Sequence, residues 1–408
     1  MPLSLQNLPS QEPIFEPDYP LQGSRLDLPL SVVLAFTDKQ REHYISELLS
    51  ALSKSIAANE MTLKSRVPFA KEMRDLRKLV RLPTDAYLYL DERTFNRNVL
   101  GKGSPGGTHT YWSRKFMWRM ATRQGDLEEM ILNRDHKLCR KLSRLFDGQN
   151  NGKELFRRTN RTAIENALSY LQVETGVGTA FPPFHARFLA DRFLPKKGKC
   201  LVIDPCAGWG GRLLGTLCVR REDRIHYIGV DPEARNKAAY EGILRRIQIY
   251  LNNEIKGVRT ARFFSRPFEE WIETKTALNL TGRADLVITS PPYYSAEIYN
   301  PENKKQSAIR YSTYELWRNN FYKTLVQGAY TLLRPGGVFV LNIANVAAAN
   351  NLERDARILA RESGFKNCGF FKLAMSVTPG TRTGIRHTVM VNGKVFKHEP
   401  VFCFRKPD

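Results

Sequence analysis

The sequence predicts an α/β chain: a mostly parallel sheet covered by helices on both faces, with an antiparallel C-terminal hairpin, preceded by a basic, mainly helical N-terminal domain. Three observations predict it. Beyond about residue 175, apolar runs such as CLVIDP (200–205) and HYIGVDP (226–232) alternate with helical stretches, and such alternation builds parallel sheets buried on both faces. Near the end, HTVMVNGKVF sets an Asn-Gly pair between alternating residues, a hairpin signal. The charge is uneven: the chain carries +22, and residues 61–160 hold 22 Lys plus Arg against 11 Asp plus Glu, half of the excess.

Residues 1–35 are rich in Pro, Leu and Ser and read as an extended segment. Residues 36–172 read as the basic helical domain. Within it, 38–59 form an amphipathic helix with Tyr44, Ile45, Leu48, Leu49, Leu52 and Ile56 on one face. A second helix covers 69–82, GKGSPGG at 101–107 is a loop, and further helices run from Asp126 to Leu145 and from Thr162 to Gln172. YWSRKFMWRMATRQ (111–124) interleaves rings and cations. It reads either as a surface for phosphate contact and base stacking or as a helix with an apolar face and an Arg rim. Residues 173–408 form the α/β domain. Its strands are CLVID, HYIGV, VRTARFF, ADLVIT, VFVLNIANV and the pair around Asn392-Gly393, ending in EPVFCFRK.

Composition excludes several classes. No run of 18 apolar residues exists, so no membrane span is expected. MPLSLQNLPSQEP lacks a basic start followed by an apolar stretch, so no secretory signal is expected. Cysteines 139, 200, 206, 218, 368 and 403 form no CxxC pair, which argues against zinc and a disulfide framework and for a reducing, cytoplasmic setting. The basic excess points to a polyanionic partner, nucleic acid first.

Between the first strand of this domain and its helix stands Asp204-Pro-Cys206-Ala-Gly208-Trp-Gly210-Gly-Arg212, and Asp231 ends the next strand, 21 residues after Gly210. Glycine lets a ligand approach the backbone, and an acid at the second strand end accepts from ribose hydroxyls. A dinucleotide fingerprint wants Gly or Ala where Leu213 stands, and Asp204 would repel a pyrophosphate. The acid instead suits a cationic ligand with an amino acid moiety, such as S-adenosylmethionine; a purely structural turn is the alternative. Pro267-Phe268-Glu269-Glu270 follows the third strand. An acid there suits an adenine amino group and Phe268 its ring; plain surface charge is equally open.

TSPPYY (289–294) ends the fourth strand, where open α/β sheets bind ligands. The prolines lack N–H groups and hold their carbonyls as acceptors. With the Ser290 hydroxyl they suit both hydrogens of an exocyclic amine, freeing its lone pair to attack a methyl sulfonium. Tyr293 offers a stacking face, worth about 1–3 kcal/mol per base, toward the few kcal/mol of base flipping.

Ser290-Pro291-Pro292-Tyr293 resembles the signature of the DNA amino-methyltransferases, which methylate cytosine N4 or adenine N6. The form beginning Thr-Ser is more typical of the cytosine enzymes. The resemblance covers about residues 175–408. It implies a Rossmann-like class I methyltransferase fold with a seven-stranded sheet, S-adenosylmethionine as cofactor, duplex DNA with a flipped base as partner, and a restriction–modification setting. It assigns catalysis to Ser290, Pro291, Pro292 and Tyr293. Cofactor binding falls to Asp204, Cys206, Gly208, Gly210, Asp231, Phe268 and Glu269, and to Phe181 and His185 of FPPFH. The family's turn reads DPFxGSGT, so Trp209 and Arg212 depart from it. Residues 36–172 are the candidate target-reading domain, and Arg382, Arg386 and His387 are candidate strand contacts or ordinary surface.

The implied chemistry is direct in-line methyl transfer without a covalent enzyme intermediate. Ser290 is a poor base, so the product proton is expected to leave to water. An RNA base amino-methyltransferase is the nearest alternative, a protein glutamine methyltransferase leaves the charge unexplained, and a non-catalytic nucleic-acid binder is the alternative of another class.

Overall fold

The computed structural model describes residues 21, 24–58, 69–101, 105, 121–122, 125–147, 162–174, 180–250, 254–300, 302–375 and 387–408. Most of the ring-and-cation stretch 111–124, together with Arg382 and Arg386, lies outside them. The chain divides into two compact units, one of residues 1–66 and 128–174, the other of residues 67–127 and 175–408.

The first unit is helical. Its helix Asp38–Ala57 starts at a capping box, in which Thr37 accepts from Gln40 N–H and the Gln40 side chain accepts from Thr37 N–H. Tyr44, Ile45, Leu48, Leu49, Leu52 and Ile56 are all buried, the face the periodicity predicts. The single helix expected from Asp126 to Leu145 is instead two, Leu127–Leu132 and His136–Phe146. Arg134 turns the chain with φ 49°, and the Asp135 carboxylate then caps the second helix, accepting from Lys137 N–H at 2.6 Å. An apolar pattern with no Gly or Pro concealed that break.

The second unit is built on one mixed sheet. In chain order its strands are β1 Leu88–Asp91, β2 Asn96–Leu100, β3 Ala121–Thr122, β4 Gly125–Asp126, β5 Cys200–Asp204, β6 Ile225–Val230, β7 Arg259–Phe264, β8 Ala284–Thr289, β9 Leu333–Asn342, β10 Lys366–Met375, β11 Thr388–Val391 and β12 Lys394–Arg405. All but the β3–β4 pair join a ten-stranded sheet in the order β1-β2-β10-β12-β9-β8-β5-β6-β7, with β11 paired to β12. The strands from β9 to β7 in that order run parallel, while β12 is antiparallel to both β9 and β10.

Side chains alternate between two cores. Leu286 and Ile288 of β8 join Val202, Val338 and Val340 on one face; Val287 joins Ile203, Phe339 and Leu341 on the other. Helices Pro183–Phe193 and Gly211–Leu217 supply the first core with Leu189, Leu213 and Leu217, and Lys323–Leu332 and Leu352–Glu362 supply the second. Both layers explain why these strands read as continuous apolar runs.

Two expectations are corrected here. The Asn392-Gly393 turn forms, with φ 49° and 69°, but its second strand does not make the sheet edge. Val401, Phe402, Cys403 and Phe404 of β12 are buried, which places that strand inside the sheet between β9 and β10. Residues 69–101 also differ from their expected place in a helical domain. β2 pairs in parallel with β10, Lys372 against Val99 and Leu373 against Leu100, so this segment extends the sheet beyond seven strands. Among the described residues, no helix is long and apolar enough to cross a membrane.

Candidate active site

The parallel strands β5, β6, β8 and β9 end on one edge of the sheet. Connections leave β5 and β8, neighbours in the centre, toward opposite sides, which opens a crevice at their carboxyl ends. One cavity occupies it. Its walls include Phe181, Gly208, Asp231 and Glu269 on one side and Ser290, Tyr293, Asn342 and Glu399 on the other. The two motifs, 80 residues apart in sequence, therefore share one cavity.

The turn after β5 is shaped by backbone demands. Gly208 has φ 57° and donates its N–H to Asp231 Oδ2 at 2.8 Å. A Cβ on Gly211 would stand 2.0 Å from the Phe181 carbonyl oxygen, so only glycine lets the FPPF segment lie against this turn. Gly210, with φ 81°, precedes the helix but does not line the cavity.

Asp231 accepts a second backbone N–H, from Glu233 at 2.9 Å. Burial raises its pKa to about 7, against the pull of these two N–H groups. Each carboxylate oxygen keeps acceptor capacity toward the cavity.

Asp204 differs from its expected role. Its side chain is fully buried and off the cavity wall. Arg212 Nε donates to Oδ2 at 2.7 Å, the Tyr227 hydroxyl donates to the same oxygen at 2.7 Å, and Cys206 N–H donates to Oδ1 at 3.2 Å. The charge that would meet a cationic ligand is spent on Arg212, which itself reaches the cavity wall. This is the physical sense of the arginine that departs from the family's turn. Cys206 also lines the wall, with its thiol pKa pushed up by burial.

Two further expectations are revised. The His185 ring lies off the wall, with Nε2 2.6 Å from the Gly101 carbonyl, and burial lowers its pKa to about 4; it ties the helix to the end of β2. Phe268 borders the cavity, but its ring is 1% exposed, packed on Trp271 at 5.9 Å and close beneath Gly328. That ring belongs to the core and is no cover for a ligand. Phe181 and Trp209 do line the wall; Trp209 meets Tyr299 edge to face at 5.7 Å.

Glu269 lines the cavity. Its Oε1 lies 3.3 Å from Arg310 and accepts from the Tyr311 hydroxyl, while its Oε2 is buried with no hydrogen-bond partner among the described residues. Burial raises its pKa. A buried acceptor without a partner has capacity for one further donor.

On the other side, Ser290 Oγ donates to Asn342 Oδ1 at 3.2 Å, and the Tyr293 hydroxyl donates to Glu399 Oε2 at 3.0 Å. Ser290, Pro292 and Tyr293 line the cavity, whereas the Pro291 side does not. The chain then reverses at Tyr294, φ 54°. Residues 297–300 and 302–306 reach the first half of the site, where Asn300 Nδ2 donates to Glu233 at 3.0 Å and Asn303 Nδ2 to the Pro232 carbonyl at 3.1 Å.

Sequence reasoning missed Glu233, Glu297, Asn342 and Glu399. Glu297 lies inside SAEIY (295–299), directly after the motif. Asn342 and Glu399 carried no signal, because only the pairing of β12 with β9, which sets Val401 against Asn342, brings them to one place.

No family model matches the chain, and no curated protein matches it. Solved structures do. A 1,6-didemethyltoxoflavin-N1-methyltransferase from Burkholderia thailandensis, with bound 1,6-didemethyltoxoflavin and S-adenosylhomocysteine, is 16% identical over 55% of this chain and 79% of that one, with a TM-score of 0.31. A magnesium protoporphyrin IX methyltransferase from Synechocystis PCC 6803, with bound SAM, is 13% identical over 53% and 74%, TM-score 0.32. A possible exported protein from Bordetella parapertussis is 14% identical over 74% and 95%, TM-score 0.33. Scores this low leave the assignment to the strand order itself. The order β7-β6-β5-β8-β9-β12-β10, with β12 alone reversed, is that of the Rossmann-like class I methyltransferase fold.

Proposed function

We propose that this chain transfers a methyl group from S-adenosylmethionine to an exocyclic amino group of a DNA base flipped from its duplex, cytosine N4 first. The observation that carries this reading is the cavity that Ser290, Pro292 and Tyr293 share with Gly208 and Asp231. The cofactor fits the residues present. Asp231 has acceptor capacity for ribose hydroxyls, the unpartnered Glu269 Oε2 for an adenine amine, and Arg212 brings a cation to the wall for a carboxylate. When bound, that cofactor supplies an electrophilic methyl group.

The remaining work falls to the chain. Ser290, held by Asn342, and the carbonyls around the prolines accept the amine hydrogens and set its lone pair toward the cavity's other half. The Tyr293 ring, fixed by its hydroxyl to Glu399, bounds the place of the base. Catalysis of this type is alignment and electrostatics. The net charge of +22 supports a nucleic-acid acceptor.

Nucleoside mass spectrometry of DNA from cells expressing the chain, beside cells expressing Ser290→Ala with Tyr293→Ala, tests this. N4-methylcytosine only with the intact chain supports it. N6-methyladenine keeps the mechanism and overturns the base. No modified deoxynucleoside, with S-adenosylmethionine still bound by the folded chain, overturns DNA as acceptor and directs the search to RNA.

A further inference from the structure

Methylating an amine leaves a proton to remove, and Ser290 is a poor base. The acceptor side of the cavity holds two carboxyls that the motif does not include. Glu399 projects from β12 and accepts from the Tyr293 hydroxyl at 3.0 Å; Glu297 follows the motif in the chain and accepts from the Tyr299 hydroxyl. Both line the cavity with Ser290 and Tyr293. An acidic pair is out of character for so basic a protein. It sits where a base would dock and is far from any role in binding phosphate.

We propose that Glu297 and Glu399, lining one cavity beside Ser290 and Tyr293, act as a carboxyl pair that carries a single proton and takes up the proton released by the methylated amine. This rests on the acceptor reading above. The amine lone pair forms the N–C bond while the sulfonium S–C bond breaks and leaves its electrons on sulfur. The nitrogen, now cationic, gives one N–H proton to the ionised carboxyl, leaving a neutral methylamino group. The doubly protonated pair then returns a proton to water.

The surroundings suit such a pair. Burial raises the Glu297 pKa to about 7; the Tyr299 hydrogen bond opposes this and the charge of Glu399 adds to it. Burial raises Glu399 as well, against the Tyr293 hydroxyl, Lys397 and Asn342. His398, next in the chain, stays neutral because burial lowers its pKa to about 4. Two like charges in one dry site do not both ionise readily, and they titrate as a unit.

The test uses the full chain, labelled S-adenosylmethionine and plasmid DNA, with Glu297→Gln, Glu399→Gln and the double variant. The wild-type rate should rise with pH along an acid limb set by the pair. The active pair is singly protonated, so its limb is the uptake of a second proton. A lone buried carboxyl titrates between the pair's two steps, so in either single variant the limb should move to higher pH. The double variant should lose the limb and about 100-fold or more in rate. Cofactor binding by calorimetry should stay within about twofold throughout, which separates this role from misfolding. Glu399→Asp should recover part of the rate. Infrared difference spectra at neutral pH supply a readout that needs no turnover: a protonated carboxyl band in the wild type, absent from the double variant. Methyl transfer with an unmoved limb and an unchanged band would overturn the pair alone. No transfer by the wild type to DNA would overturn the acceptor reading and this role with it.

Discussion

The Arg212 guanidinium lies against the Asp204 carboxylate, Nε 2.7 Å from Oδ2, with both side chains almost wholly shielded from solvent. The pair fixes the turn that leaves β5, because Arg212 also donates to the Cys206 carbonyl. Removing one partner strands the other charge in a dry wall. Arg212→Met is expected to destabilise the chain by about 3–5 kcal/mol, read from the urea unfolding midpoint. A loss under about 1 kcal/mol would mean that water reaches Asp204.

In the proposed reaction, Tyr293 serves the base and not the cofactor. Tyr293→Ala removes a stacking face worth about 1–3 kcal/mol, so kcat/KM for DNA should fall by about 10- to 100-fold. Affinity for S-adenosylmethionine should hold within about twofold, since the Gly208–Asp231 side is untouched. An equal loss in both would remove the stacking role.

Asp231 makes cofactor binding depend on pH. Ribose hydroxyls donate best to the ionised carboxylate, and this group ionises only near 7. Affinity measured by calorimetry should therefore rise from pH 6 to pH 8. Asp231→Asn should flatten that rise and weaken binding by about 10- to 100-fold, the range of a hydrogen bond to a charged group. The sign reverses for stability without cofactor. The folded chain keeps a proton that the unfolded chain releases near 3.8, so this group's contribution is full below that pH and is lost as pH rises through about 7.

Gly211 is the point of closest approach between the FPPF segment and the turn. In Gly211→Ala the new Cβ meets a backbone oxygen, which cannot swing aside as a side chain would. The expected cost is about 1–3 kcal/mol, with a loss of cofactor affinity as Phe181 shifts. Gly369→Ala is the contrast: its Cβ would stand 3.5 Å from the Cys403 Cβ, an ordinary contact, and thermal melting should show little change.

Much of the α/β half was legible because its physics is local. Runs such as CLVID and ADLVIT are buried on both faces, and the alternation of Leu286, Val287 and Ile288 between two cores follows from the strand period alone. The turn at Asn392-Gly393 was legible for the same reason, since its left-handed dihedrals select those residues. Gly208, Asp231 and Glu269, marked by their places after the strands, do line the cavity.

What stayed hidden depends on partners far along the chain. No local pattern tells β12 to enter the sheet between β9 and β10, or β2 to pair with β10 some 270 residues away. Nor does composition reveal that Arg212 and Tyr227 consume the charge of Asp204, or that His185 turns from the cavity to the Gly101 carbonyl. By itself the sequence determined the elements and the two motifs, through periodicity and backbone chemistry. Only the tertiary structure decided which acids face the cavity, because an acid's availability is set by its neighbours: Asp204 is neutralised, while Glu269, Glu297 and Glu399 are gathered at the wall.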